Sequence, residues 1–150
     1  MKLNVGCGRH VLDGWTNVDA YTNADIQGDI RTLVFQDVHE VNMSHLLEHL
    51  PWAQTAVILE RIRGWMIPGG TITIEVPDMK ALMAHPPPDW VIYIYGAQSQ
   101  PGEFHQTGFT RESLSAQLYM AGYQNVTCKE FLSDHPYRAG MPCLLAQANA

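Results

Sequence analysis

The sequence predicts a single α/β domain, and three observations carry that prediction. Its 150 residues, 46% hydrophobic and 16% charged, suit one hydrophobic core rather than two. Short segments of alternating polar and apolar residues interleave with stretches of helical periodicity. Glycine and proline punctuate the joints between them, without internal repeats or low-complexity tracts.

Residues 2–5 alternate and run straight into Gly6-Cys7-Gly8, a strand ending in a tight glycine turn. Residues 16–19 form a second strand, 26–30 a third and 40–44 a fourth, where Val41 and Met43 alternate with Glu40, Asn42 and Ser44. Pro51 suits a first helical turn, and Trp52, Ala56, Leu59, Ile62 and Met66 then recur at three-to-four spacing. That pattern predicts a helix ended by Pro68-Gly69-Gly70. Residues 71–76 are a fifth strand, with Ile72, Ile74 and Val76 on one face and Thr71, Thr73 and Glu75 on the other. Pro86-Pro87-Pro88 and a run of aromatics make 85–108 a long irregular excursion. Thr110 caps a last helix with Glu112 in its first turn, Leu114, Leu118 and Ala121 on one face, and Gly122 as its stop. Residues 125–131 and 142–147 are two closing strands.

A parallel sheet covered on both faces reads as continuous apolar runs, whereas four of these strands are polar on one side. The connections 9–15, 20–25 and 31–39 are also too short for crossover helices, which need about a dozen residues each. Both facts predict pared-down helices and one thinly covered sheet face. That face either meets water or a second copy of the chain, so a homodimer is an expectation to test.

The balance of charge excludes some classes of function. A formal net charge of -6 argues against a nucleic-acid backbone as partner, because such binding runs on clustered cations. Cys7, Cys128 and Cys143 form neither a CxxC pair nor an even framework, so neither a zinc knuckle nor a secreted disulfide scaffold is expected. No apolar run approaches the ~20 residues of a membrane span, and the first residues lack the layout of a signal peptide. The expectation is a soluble, cytoplasmic protein acting on a small molecule such as a metabolite or sugar.

The first candidate site is Asn4-Val5-Gly6-Cys7-Gly8 at a strand's carboxyl end, with Asp19 and Asp29 at the ends of the next two strands. Ligands of open α/β sheets bind at such ends, where glycines admit close backbone approach and a carboxylate one strand away accepts ribose hydroxyls. The second is His45-Leu46-Leu47-Glu48-His49, and the third is His105 in Phe104-His105-Gln106-Thr107-Gly108.

Four motifs in order, Leu3-Asn4-Val5-Gly6-Cys7-Gly8, Gly14-Trp15-Thr16-Asn17-Val18-Asp19, Ser44-His45-Leu46-Leu47-Glu48-His49-Leu50 and Pro68-Gly69-Gly70 with Glu75-Val76-Pro77-Asp78, resemble the class I S-adenosylmethionine-dependent methyltransferases. More narrowly, Gly96-Ala97-Gln98 and residues 105–110 resemble a group of small predicted methyltransferases. The resemblance implies a Rossmann-like, mostly parallel seven-stranded sheet with an antiparallel last strand. It implies S-adenosyl-L-methionine as cofactor and S-adenosyl-L-homocysteine as product. It places the cofactor on Asn4, Gly6, Cys7, Gly8 and Ser44, its ribose on Asp19, its adenine near Asp29 and Ile30, and His45 facing the methyl group. Two departures stand out: Asn4 where an acid is commoner, and a connection after Gly8 too short for the usual flanking helix.

Such a cofactor carries its own leaving group, so a side-chain base is needed only for a protonated acceptor. His45 is the first candidate for that role and His105 the second. Two rivals are a non-catalytic or partner-dependent cofactor-binding domain, and a zinc peptidase built on His45-x-x-Glu48-His49. The peptidase needs that motif inside a helix and a third ligand, and Pro51 argues against the helix. No metal is therefore expected.

Overall fold

The computed structural model describes residues 1–134 and 139–150. Among these residues seven strands form one sheet: β1 (Lys2–Val5), β2 (Thr16–Asp19), β3 (Ile26–Gln27), β4 (Val38–Ser44), β5 (Met66–Pro77), β6 (Gln124–Leu132) and β7 (Pro142–Asn149). Their order is β3-β2-β1-β4-β5-β7-β6, and β7 runs antiparallel to both its neighbours. The expected α/β, Rossmann-like architecture with its antiparallel last strand is thus formed.

Helices α1 (Trp52–Arg63) and α4 (Arg111–Met120) supply the apolar cover. Ile58, Leu59 and Ile62 of α1 and Leu114 and Leu118 of α4 join Leu3, Val5, Val41, Met43, Ile72, Ile74 and Val76 in one core. The hydroxyl of Tyr123, just before β6, donates to the Leu59 carbonyl across 3.2 Å and ties this segment to α1. Thr110 caps α4 by the expected route, accepting from Ser113 N while the Ser113 hydroxyl accepts from Thr110 N.

The opposite face is polar and half-open, as the short connections predict. Lys2 pairs with Glu40 at 2.8 Å and lies over the Trp15 ring, while Gln147 reaches Thr73 and Asn149 reaches Thr71. Where a crossover helix would follow β1, residues 9–15 form a loop pinned by side-chain amides. Parallel register sets Asn4 beside both Asn17 and Asn42. Asn4 Nδ2 donates to Asn17 Oδ1 and to the His10 carbonyl, and Asn42 donates to Asn4 Oδ1. Asn17 in turn accepts from Leu12 N and donates to the Leu12 carbonyl. These amides satisfy main-chain groups that a helix would have satisfied internally.

Several boundaries differ from the sequence reading. α1 stops at Arg63, and Met66 already pairs with Val38 in β5. The next pair is Glu40 with Thr71, so residues 67–70 loop out as an irregularity within the strand. Proline lacks the N–H a ladder needs, and Gly69 takes a positive φ of 81°. Pro68-Gly69-Gly70 therefore kinks a strand rather than ending a helix. The helix buries Thr55, Ile58, Leu59 and Ile62, not the expected Trp52, which is 47% exposed. β3 is only two residues long because Gly28 and the turn begun by Asp29 follow it. Two further helices went unread: α2 (Met79–Ala84), capped by Asp78, and α3 (Trp90–Tyr95) inside the excursion. No helix among the described residues is long and apolar enough to cross a membrane.

Candidate active site

A cavity of about 1070 Å³ opens along the carboxyl ends of β1, β2 and β4. Gly6, Cys7, Gly8, Asp19, Asp29 and Ile30 line one end, and Ser44, His45, His49, Tyr93 and His105 the other.

At the glycine end the loop is held by its own main chain. Gly6 N and Cys7 N both donate to the Val18 carbonyl, and Gly8 N donates to Asp19 Oδ2 at 2.9 Å. Gly6 and Gly8 take φ values of 69° and 51°, a region costly for other residues. Asp19 Oδ1 accepts from Tyr21 N and Thr22 N. Burial works against its charge, but these three N–H donors hold its carboxyl below the usual carboxylate range. Asp19 thus braces the loop while facing the cavity, with one of the acceptor positions of Oδ2 used by Gly8.

The other expected residues of this end separate. Asn4 lines the cavity, yet its amide is engaged by His10, Asn17 and Asn42. Cys7 is buried, and burial together with the nearby Asp19 raises its thiol pKa. Asp29 is gripped through both carboxylate oxygens by the Arg31 guanidinium. Ile30 is in the core and also on the cavity wall.

At the opposite end, β4 finishes at Ser44, and His45 turns the chain with a φ of 54°. Register places Ser44 beside Glu75, and its hydroxyl donates to Glu75 Oε2 at 3.1 Å. The His45 ring lies between two carboxylates, with Nδ1 2.9 Å from Glu48 Oε1 and Nε2 3.2 Å from Glu75 Oε1. Cys143 Sγ lies 3.8 Å from the same Nε2. Burial opposes protonation, but the Cys143 contact and the two carboxylates push His45 up to about 10. Burial would likewise raise Glu48 and Glu75, but their bonds to the charged His45 hold both at about 2. At neutral pH, His45 is therefore a buried imidazolium with both N–H groups engaged, and it offers no lone pair to a substrate proton.

The segment after His45 is a single 3-10 turn, Leu47–His49, rather than a helix. The peptidase arrangement, with two histidines one helical turn apart, is not formed. Instead, the turn holds residues 104–107 by hydrogen bonds: Gln106 N and Thr107 N donate to the Glu48 carbonyl, and Gln106 Nε2 donates to the His49 carbonyl. His49 Nδ1 faces the Phe104 carbonyl at 3.1 Å, and His105 Nδ1 faces the Tyr93 carbonyl at 3.0 Å. A carbonyl only accepts, so both Nδ1 atoms carry the proton. The two rings meet edge to face, 4.7 Å apart.

Sequence reasoning assigned no role to Glu75 or Cys143. For Glu75 the signal was present: it is an acid near a strand's carboxyl end, the same placement that singled out Asp19. Cys143 gave none, because its neighbour is set by antiparallel pairing across the chain.

The fold matches known structures. An S-adenosylmethionine-dependent methyltransferase from Archaeoglobus fulgidus superposes with a TM-score of 0.70 over 99% of this chain and 85% of its own, at 17% identity. The fold is that of the class I methyltransferases. The 1,6-didemethyltoxoflavin N1-methyltransferase of Burkholderia thailandensis, solved with 1,6-didemethyltoxoflavin and S-adenosylhomocysteine, gives 0.68 over 99% of this chain and 69% of its own, at 16% identity. The protein solved in complex with the Haloferax volcanii Trm112 methyltransferase activator gives 0.67 over 99% and 81%, at 18% identity. No protein-family model and no curated protein matches the sequence.

Proposed function

We propose that this chain transfers a methyl group from S-adenosyl-L-methionine to a small acceptor. The observation that carries the reading is the continuous cavity joining the Gly6–Gly8 loop and Asp19 to the histidine cluster, on a methyltransferase fold. Its volume of about 1070 Å³ accommodates cofactor and acceptor together. A Cβ placed on Gly8 would meet nothing within 4 Å, so the loop presents bare backbone to a ligand. One imidazolium between two carboxylates leaves a net charge of about -1 at the far end, complementary to a sulfonium.

The bound cofactor supplies the electrophilic methyl and its own leaving group. The remaining work belongs to this chain: Asp19 holds the ribose and the Gly6–Gly8 loop carries the adjoining chain. His45 is a positioning residue that ties β4, β5 and the 3-10 turn together. Aligning an acceptor against the methyl is worth roughly 7–11 kcal/mol. For an acceptor that begins protonated, proton removal contributes about 10²–10⁴-fold, and His49 and His105 stand on the cavity wall at that end.

Calorimetric titration with S-adenosylhomocysteine tests the reading. Saturable binding that weakens about tenfold or more in Asp19→Ala is expected, equivalent to ~1.4 kcal/mol. No binding at millimolar ligand, or an affinity unaltered by the substitution, would overturn it.

A further inference from the structure

We infer that Glu48, His49 and His105 form a site for one divalent transition-metal ion of the zinc class at the acceptor end of the cavity. A ring nitrogen of each histidine and a carboxylate oxygen of Glu48 lie within 4.8 Å of one another. Two imidazoles and one carboxylate are the donor set of open, three-ligand zinc sites.

Three features mark the cluster as built for a cation. Glu48 is 1% exposed, and its Oε2 is buried without a hydrogen-bond partner, while Oε1 is engaged by His45. A buried carboxylate oxygen left unsatisfied is costly unless something positive meets it. Each histidine has its Nδ1 against a main-chain carbonyl, the outer contact that fixes the tautomer of a metal-ligating imidazole and aims its other nitrogen. The two chain segments, 56 or so positions apart, are held in register by the bonds from Gln106 and Thr107 to the Glu48 and His49 carbonyls, so the donors are assembled before any ion arrives. His45 belongs to a separate role, since its ring is closed off between Glu48 and Glu75.

Three ligands among the described residues leave a coordination position facing the cavity, where His49 and His105 are on the wall. That position takes an oxygen or nitrogen donor of the acceptor, which makes hydroxyl-, phenol- or amine-bearing small molecules the class of substrate. The acceptor class rests on the methyl-transfer reading; the metal binding does not.

The test is titration of chelator-stripped protein with Co²⁺, followed by its visible absorption, and competition with Zn²⁺. One equivalent is expected to bind, with displacement by Zn²⁺. His105→Ala and His49→Ala are each expected to weaken binding by at least about 100-fold, beyond the ~10–100-fold that loss of an outer partner costs. His85→Ala, outside the cluster, is the control and leaves binding unchanged. Binding insensitive to both histidine variants, or spread over several equivalents, overturns the proposal. Glu48→Gln is read alongside its melting temperature, because it also removes a partner of His45. Titrating the stripped protein with S-adenosylhomocysteine separates the two readings: cofactor-product binding without Co²⁺ binding sinks only the metal site, and the reverse sinks only the methyl transfer.

Discussion

The two ends of the cavity are built by opposite means. At the glycine end, main-chain N–H groups do the holding: Gly6 and Cys7 are tied to the Val18 carbonyl and Gly8 to the Asp19 carboxylate. At the histidine end, side chains hold one another, with His45 clamped between Glu48 and Glu75 and the Ser44 and Ser133 hydroxyls on Glu75. The difference teaches where substitutions will hurt. A backbone-held loop tolerates side-chain changes but not changes of backbone conformation, whereas an interlocked set of charges fails when any member is removed.

The largest effect is expected at the histidine end. His45→Ala strands two carboxylates, one of them fully buried, and removing one partner of a buried pair costs about 3–5 kcal/mol. Urea denaturation checks this; a loss below ~1 kcal/mol would show that the charges are not coupled as described.

The glycine end sharpens the contrast from the other side. Gly8→Ala meets only the cost of a positive φ, about 1–2 kcal/mol, because its new methyl finds open space. Gly6→Ala carries that cost and also drives a methyl to 2.8 Å from the Leu46 side chain, so it is expected to be the worse of the two. Equal destabilisation would mean that Leu46 moves aside freely. The smallest effect belongs to the polar sheet face: Asn42→Ala removes one amide bond to Asn4 and costs about 1 kcal/mol by thermal unfolding.

The fold was legible where local rules decide it. Alternation exposed β1, β4 and β5, and short connections announced the open face. Pro68-Gly69-Gly70 misled, because Pro and Gly signal any interruption of a ladder and only the partner strand decides which kind. Asp78 before residues 79–84 was a readable cap that the proline run overshadowed. In the site, Asp19 was legible from its strand end. The state of His45 was not, since it depends on Glu75 and Cys143, which lie 30 and 98 positions away along the chain.

The sheet's two borders bear on how the protein behaves when crowded. A long, flat, apolar edge strand is a template for aggregation. One border here is β3, two residues long, which offers almost no ladder to copy. The other is β6, which is longer but shifts register between Gln124 and Thr127 and carries Lys129 and Glu130 side by side. Growth of the sheet into fibres therefore meets a border with almost no ladder at one margin and one broken by a register shift and a pair of charges at the other.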